Sequence, residues 1–157
     1  CFRGRQVTVG YYGQSEKCID ENGWFHTGDI GEMHDTGHIK IIGRLDDLII
    51  TSTGHKIVPE PIETCIRNRC DDIENVLLVG HGEKYLGLLL SMKVRGDISR
   101  VMEHVEYYNN HLSNSKSERI QKVILFTIEA NDLTASNKIK RGYILKRYKN
   151  EIRAMYF

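Results

Sequence analysis

The segment Gly23-Trp24-Phe25-His26-Thr27-Gly28-Asp29 sets a carboxylate directly after a glycine that permits a tight turn. A carboxylate held there can accept hydrogen bonds from vicinal hydroxyls, the logic by which an acidic residue recognises a ribose. An Asp that caps its own turn leaves the same pattern. Gly43-Arg44-Leu45-Asp46-Asp47 ends an apolar run with a guanidinium, whose planar fork suits phosphate or ribose oxygens. A surface Arg paired with Asp46 or Asp47 is the plainer alternative. Ser136-Asn137-Lys138-Ile139-Lys140-Arg141 follows a polar stretch. A lysine at such a loop tip can reach into a cleft and stabilise charge developing on a phosphate, although an exposed basic loop looks the same.

These segments need a frame. Residues 2–12 read as a strand with a Gly-rich edge and 13–23 as a polar loop. His34-Asp35-Thr36-Gly37-His38 is a turn signal between two strands. It makes a hairpin tip a better account of His34 and His38 than a metal-binding helix. Leu48–Thr51 and Lys56–Val58 flank a second hairpin turn. Pro59 and Pro61 open a helix. Ile73–Val79 and Tyr85–Val94 are strands, and Asp97 caps a helix with Ile98, Val101, Met102, Val105, Tyr108 and Leu112 on its apolar stripe. Ile120–Ile128 is a third strand, 129–140 a loop, and Arg141–Met155 a helix. The order helix, strand, strand, helix, strand, helix predicts a small α+β domain with one helix-covered sheet. The pattern changes near Arg44–Leu48, where a domain boundary is expected.

The formal net charge is +1, which argues against general nucleic-acid binding. Its distribution is uneven: residues 116–157 carry 10 Lys and Arg against 4 Asp and Glu. That basic end suggests an anionic partner or a solvated helix. Cys1, Cys18, Cys65 and Cys70 match neither paired zinc-site spacing nor a disulfide scaffold, so free thiols in a reducing compartment are expected. The longest apolar run, Leu86–Leu90, is far short of the roughly 20 residues of a membrane span. The chain starts at Cys1 inside a strand-like pattern, and we expect it to be part of a longer polypeptide.

Taken together and in order, the segments resemble the adenylate-forming superfamily of acyl-CoA synthetases, luciferases and peptide-synthetase adenylation domains. Gly23–Asp29 is similar to its WFHTGD signature, preceded by a similar strand from Arg3-Gly4 to Gly10-Tyr11. Gly43–Ile50 followed by Gly54–Pro59 resembles its hinge region, with Ile62-Glu63 fitting the next helix. Leu133–Arg141 resembles its C-terminal lysine motif. Leu48–Thr51 and Val58–Glu63 are similar to long-chain fatty acyl-CoA synthetases of the bubblegum type. Ala135 departs from a common Pro, and Asn137 stands where many relatives have Gly, which leaves Lys140 as a rival to Lys138.

The resemblance implies a β-rich end of a large N-terminal domain over 1–45 and a C-terminal α+β lid with a short mixed sheet over 46–157. It implies ATP, Mg2+ and CoA, with fatty acid as the acid substrate and no resident metal site in this chain. Asp29, Thr27 and Arg44 would contact ATP or AMP, Asp46 would be the hinge, and the Gly54-His55-Lys56 loop would approach the CoA channel. Lys138 would bridge the attacking carboxylate and the α-phosphate. The family's phosphate-binding loop is not among these residues, so the chain by itself is expected to be inactive. A non-catalytic binding module derived from the same domain is the alternative. Location in the cytoplasm, or peripherally on a cytosolic membrane face, is expected.

Overall fold

The computed structural model describes residues 1–8, 10, 12, 19–94 and 96–157. The chain divides into two compact units, Cys1–Leu48 and Ile49–Phe157.

The first unit is built on an antiparallel hairpin, β1 (Asp29–Met33) and β2 (Ile39–Arg44). At its tip the Thr36 hydroxyl lies 2.9 Å from Nδ1 of both His34 and His38, so those histidines close a turn. A bulge between Ile30 and Gly31 shifts the register and sets Asp29 opposite Arg44. The strand expected over 2–12 is not found among the described residues. Phe2 makes one bridge to Phe25, and residues 4–6 bend and turn, because Gly4 favours a turn over a ladder. Of the 13–23 loop, residues 13–18 lie outside the described residues, Cys18 included.

The second unit centres on a three-stranded mixed sheet of β5 (Ile73–Val79), β6 (Leu86–Met92) and β7 (Ile120–Leu125), in that order. β5 and β6 are antiparallel, and β6 and β7 are parallel. A parallel pair needs a crossover, and α2 (Ile98–His111) supplies it. Asp97 caps α2 by accepting a hydrogen bond from the Ser99 amide at 2.8 Å. α1 (Pro59–Arg69) starts with Pro at its first turn, where a missing N–H costs nothing.

Alternation along the strands assigns the two faces. Val76, Leu78, Leu86, Leu88 and Leu90 pack against α1 and α2 through Ile66, Val101, Val105 and Tyr108. Leu77, Val79 and Leu89 face the other way, onto Ile144 and Met155. Covered on both faces, β6 can be apolar at consecutive positions, and Leu86, Leu88, Leu89 and Leu90 are fully buried. Each such side chain contributes about 1.5–3 kcal/mol relative to exposure. The short hairpin of β3 (Ile49–Ile50) and β4 (Lys56–Ile57) joins the first face through Ile49 and Ile57.

The last helix is two. α3 (Arg141–Arg147) and α4 (Lys149–Ala154) meet at Tyr148, whose φ of −94° and ψ of 21° break the helical path. Both still direct their apolar residues onto the sheet: Ile144, Leu145, Tyr148, Ile152 and Met155 lie in one cluster. β7 ends at Leu125 rather than Ile128, yet Phe126 and Ile128 stay in that cluster. Among the described residues no helix is long and apolar enough to cross a membrane.

One largely buried ion pair, each side chain 14% exposed, ties α3 to the opposite side of the sheet. Arg141 donates from Nη1 to Glu63 Oε1 on α1 and from Nη2 to the Leu78 carbonyl on β5, both at 2.6 Å. The Leu78 amide donates to the same Oε1 at 2.6 Å. Burial pushes the Glu63 carboxyl above its ordinary value of 4.5, while the Arg141 charge and the Leu78 hydrogen bond pull it back. Removing Arg141 strands the Glu63 carboxylate at a cost of about 3 kcal/mol, whereas replacing both with apolar residues costs much less. Arg141→Met, which leaves the Glu63 carboxylate without its counter-ion, should therefore destabilise the chain by about 3 kcal/mol and Glu63→Leu with Arg141→Met by less than half of that, read from urea midpoints. The raised value also sets a sign. The folded state holds the Glu63 proton more tightly than the unfolded chain. The stability from this group is thus full below pH 4.5 and is lost as pH rises through the folded value. Glu63→Gln should remove that decline from the pH dependence of the midpoint.

Candidate functional site

The expected site residues fall in both units. In the first, the Arg44 guanidinium donates from Nη1 to Asp29 Oδ1 at 2.8 Å and to the Thr27 carbonyl at 3.0 Å. Its partner is thus the cross-strand Asp29 rather than Asp46 or Asp47. The hydrogen bond to Asp29 raises the Arg44 pKa above its ordinary value, with smaller Coulombic support from Asp46 and Asp47. The Asp29 amide donates to the Thr27 hydroxyl at 3.1 Å, and the Leu45 amide to the Gly28 carbonyl at 2.7 Å. Gly28 has φ +72°, and a Cβ there would sit 3.2 Å from Arg44 Nη2. The glycine therefore admits both the turn and the guanidinium. Capping of the turn falls to Asp20, whose Oδ1 accepts from the Asn22 and Trp24 amides and whose Oδ2 lies 3.0 Å from His26 Nε2. Asp29 is released from that duty. Its Oδ1 is fixed by Arg44, and among the described residues Oδ2 takes no hydrogen bond. A carboxylate oriented in this way can accept from vicinal hydroxyls.

Asp46 and Asp47 occupy a turn immediately after β2, in which the Asp47 amide donates to the Arg44 carbonyl at 3.3 Å. The end of the first unit, Leu48, lies two residues past Asp46.

In the second unit the Gly54-His55-Lys56 loop is closed by hydroxyls. The Thr51 hydroxyl accepts from the His55 amide at 3.1 Å and lies 2.9 Å from the Thr53 hydroxyl. Thr53 Oγ1 lies 2.9 Å from His55 Nδ1 and 3.3 Å from Ser117 Oγ on the turn before β7. The Ser52 amide donates to the Glu83 carbonyl at 2.9 Å, which fixes the loop to the β5–β6 turn.

The lysine segment is a small hairpin. Leu133 and Ile139 bridge across it, the Thr134 amide donates to the Lys138 carbonyl at 2.8 Å, and the Lys138 amide to the Thr134 hydroxyl at 3.0 Å. Its turn needs a left-handed residue. Asn137, at φ +58°, is the non-glycine residue found there among the described residues, and Asn tolerates that conformation better than most. The two lysines differ. Lys140 Nζ donates to the Asn131 carbonyl at 3.2 Å. Lys138 is exposed, and among the described residues its ammonium has no partner.

Residues 46–157 match the model of the AMP-binding enzyme C-terminal domain. The chain belongs to that family. The long-chain-fatty-acid–CoA ligase ACSBG2 of Mus musculus is similar at 30% identity over 99% of this chain and 30% of its own length. Similar bubblegum-type ligases from rat and human cover the chain to the same extent. The chain thus spans about 30% of the length of these relatives. Among solved structures, the A domain of carboxylic acid reductase from Segniliparus rugosus, in complex with AMP and a carboxylic acid, matches with a TM-score of 0.75. It is 18% identical over 88% of this chain and 24% of that one, a likeness of fold. Mycobacterium tuberculosis fatty acyl CoA synthetase matches with a TM-score of 0.59 at 28% identity, over 85% of this chain and 26% of that one.

Sequence reasoning missed one cluster beside the lysine hairpin. Arg147, Asp132 and Glu129 meet beneath the hairpin. The only local cue is Glu129-Ala130-Asn131-Asp132, which forms a capping box at a 3₁₀ turn.

Asn137 generates a check on the hairpin. Asn137→Val should cost about 1–2 kcal/mol, since a β-branched residue pays most for the left-handed region, while Asn137→Gly should be neutral or slightly stabilising. Thermal unfolding of the two variants measures this.

Proposed function

We propose that these residues are the C-terminal part of an ATP-dependent fatty acid–CoA ligase, which forms an acyl-adenylate and pyrophosphate and then transfers the acyl group to CoA. The observation that carries the reading is the Lys138 ammonium, without a partner among the described residues, on a hydrogen-bonded hairpin within a chain similar over 99% of its length to a long-chain ligase.

In the first half-reaction the carboxylate oxygen attacks the α-phosphorus of ATP and pyrophosphate leaves. Negative charge accumulates on oxygens around that phosphorus, and positioned cations lower the barrier. Lys138 supplies one such charge. Lys140, tied to Asn131, is the less available of the two. Asp29, oriented by Arg44, accepts from the ribose hydroxyls, and Thr27 fixes the strand entry beside it. Mg2+ belongs with the triphosphate in the part of the ligase that precedes these residues.

In the second half-reaction the CoA thiolate attacks the acyl carbon and AMP leaves. The Gly54-His55-Lys56 loop is assigned to the pantetheine path, and Asp46 is where the change of dihedral between half-reactions is placed. Its position in a turn at an element end fits a hinge. The domain limits are proposed as 1–45 for the end of the preceding domain and 46–157 for the lid. The apolar stripe of α3 and α4 faces the sheet, so a peripheral membrane contact would have to use the exposed Lys146, Lys149 and Arg153.

In a full-length ligase carrying these residues, Lys138→Ala should lower acyl-adenylate formation about 100-fold or more, the loss of one well-placed donor. Thioester formation from supplied acyl-adenylate should stay within a few-fold. Lys140→Ala should cost less than about tenfold in either step. An equal fall in both half-reactions on losing Lys138 contradicts its role. The isolated 157-residue chain should catalyse no ATP–pyrophosphate exchange.

A further inference from the structure

The space beneath the lysine hairpin is ionic where an apolar filling would have sufficed. Asp132 is fully buried. Its Oδ2 accepts from the Glu129 amide and pairs with Arg147 Nη2, both at 2.8 Å. Oδ1 has no hydrogen-bond partner among the described residues. The same Arg147 Nη2 donates to the Thr127 carbonyl at 2.5 Å, and Nη1 lies 3.0 Å from Glu129 Oε1. The guanidinium also sits 4.9 Å from the centre of the Tyr148 ring. One side chain at the end of α3 thus holds three points of the segment that leads from β7 to the hairpin.

The hairpin hangs from the same node. The Lys140 amide donates to the Asp132 carbonyl at 2.7 Å, which closes the base just below the Leu133–Ile139 bridge. Every step from Arg147 to the Lys138 amide is therefore a hydrogen bond, an ion pair or an adjacent residue. A buried carboxylate deprived of its counter-ion must move or take up a proton. Either change acts on the backbone that carries Lys138.

We propose that Asp132 and Arg147 form a positioning clamp for Lys138, required for adenylate formation and dispensable for thioester formation. The catalytic half of this proposal rests on the ligase reading above, and the positional half does not. Reaction-centre geometry is unforgiving: a misplacement of about 1 Å can cost about 100-fold. A residue needed only for folding would lower both half-reactions together.

The test uses Arg147→Met, Arg147→Lys and the double variant Arg147→Met with Asp132→Asn, each in the full-length ligase beside Lys138→Ala. The double variant leaves no unpaired buried charge, so it keeps the test open if Arg147→Met folds poorly. Arg147→Met and the double variant should lower adenylate formation about tenfold or more, with thioester formation from supplied acyl-adenylate within about twofold, and Arg147→Lys should recover most of the loss. Parallel loss of both half-reactions in the double variant, or undiminished adenylate formation, overturns the clamp. Amide hydrogen exchange on the 157-residue chain separates the two readings. Arg147→Met should speed exchange at Lys138 and Lys140 about tenfold or more while Leu88–Leu90 keep their protection. If Lys138→Ala spares adenylate formation, the ligase role of Lys138 falls, and the exchange result alone then upholds or refutes the clamp.

Discussion

Two guanidinium groups at the ends of one seven-residue helix hold the lysine hairpin to the sheet. Arg141 opens α3 and reaches through to Glu63 and Leu78, and Arg147 closes it and reaches back to Asp132 and Thr127. A helix this short is not stable by its own hydrogen bonds. Its apolar contribution is small as well, with Ile144 its one fully buried side chain. The ionic anchors therefore decide where α3 lies and, through Lys140 and Asp132, where the hairpin before it lies. Buried pairs of this kind contribute little net stability but penalise alternatives strongly. That is useful where position matters more than strength.

The first unit follows the same logic at lower cost. The hairpin of β1 and β2 is short, and Arg44 is more than half exposed in its side chain, so the pair with Asp29 adds little to stability. It orients the carboxylate. The bulge at Ile30 brings Asp29 opposite Arg44; Gly28 leaves room for the guanidinium; and Asp20 takes over the turn capping that would otherwise occupy Asp29. Each unit thus presents one charged group, Asp29 and Lys138, with an edge that takes no hydrogen bond among the described residues.

Much of this was legible in the sequence because it is periodic or local. The apolar run within Tyr85–Val94 marked a strand, although not that both of its faces would be covered. Pro59 and Asp97 marked helix starts, and Asp35-Thr36-Gly37 marked a hairpin tip. The motifs around Asp29, Arg44 and Lys138 were read by resemblance, and the roles given to those residues are proposals. What escaped depended on distant partners. Arg44 has acids two and three residues away, and its actual partner is set by a cross-strand register that a bulge shifts. The break at Tyr148 left no trace, since Ile144, Leu145, Ile152 and Met155 face the same sheet on either side of it. Phe126 and Ile128 extended the apolar pattern beyond β7 because both pack into the same cluster, and the Phe126 amide still donates to the Leu90 carbonyl at 2.8 Å. Asp132 and Arg147 carry no periodic signal at all, and only the fold brings them together.

The central claim is that the ammonium of Lys138, and not that of Lys140, meets the reacting phosphate. Differential acetylation with an amine-reactive ester, read residue by residue by mass spectrometry on the full-length ligase, tests it most directly. ATP together with a non-reactive fatty acid analogue should shield Lys138 while leaving the labelling of Lys140, Lys146 and Lys149 unchanged. Shielding of Lys140 in its place, or of neither lysine, would contradict the account.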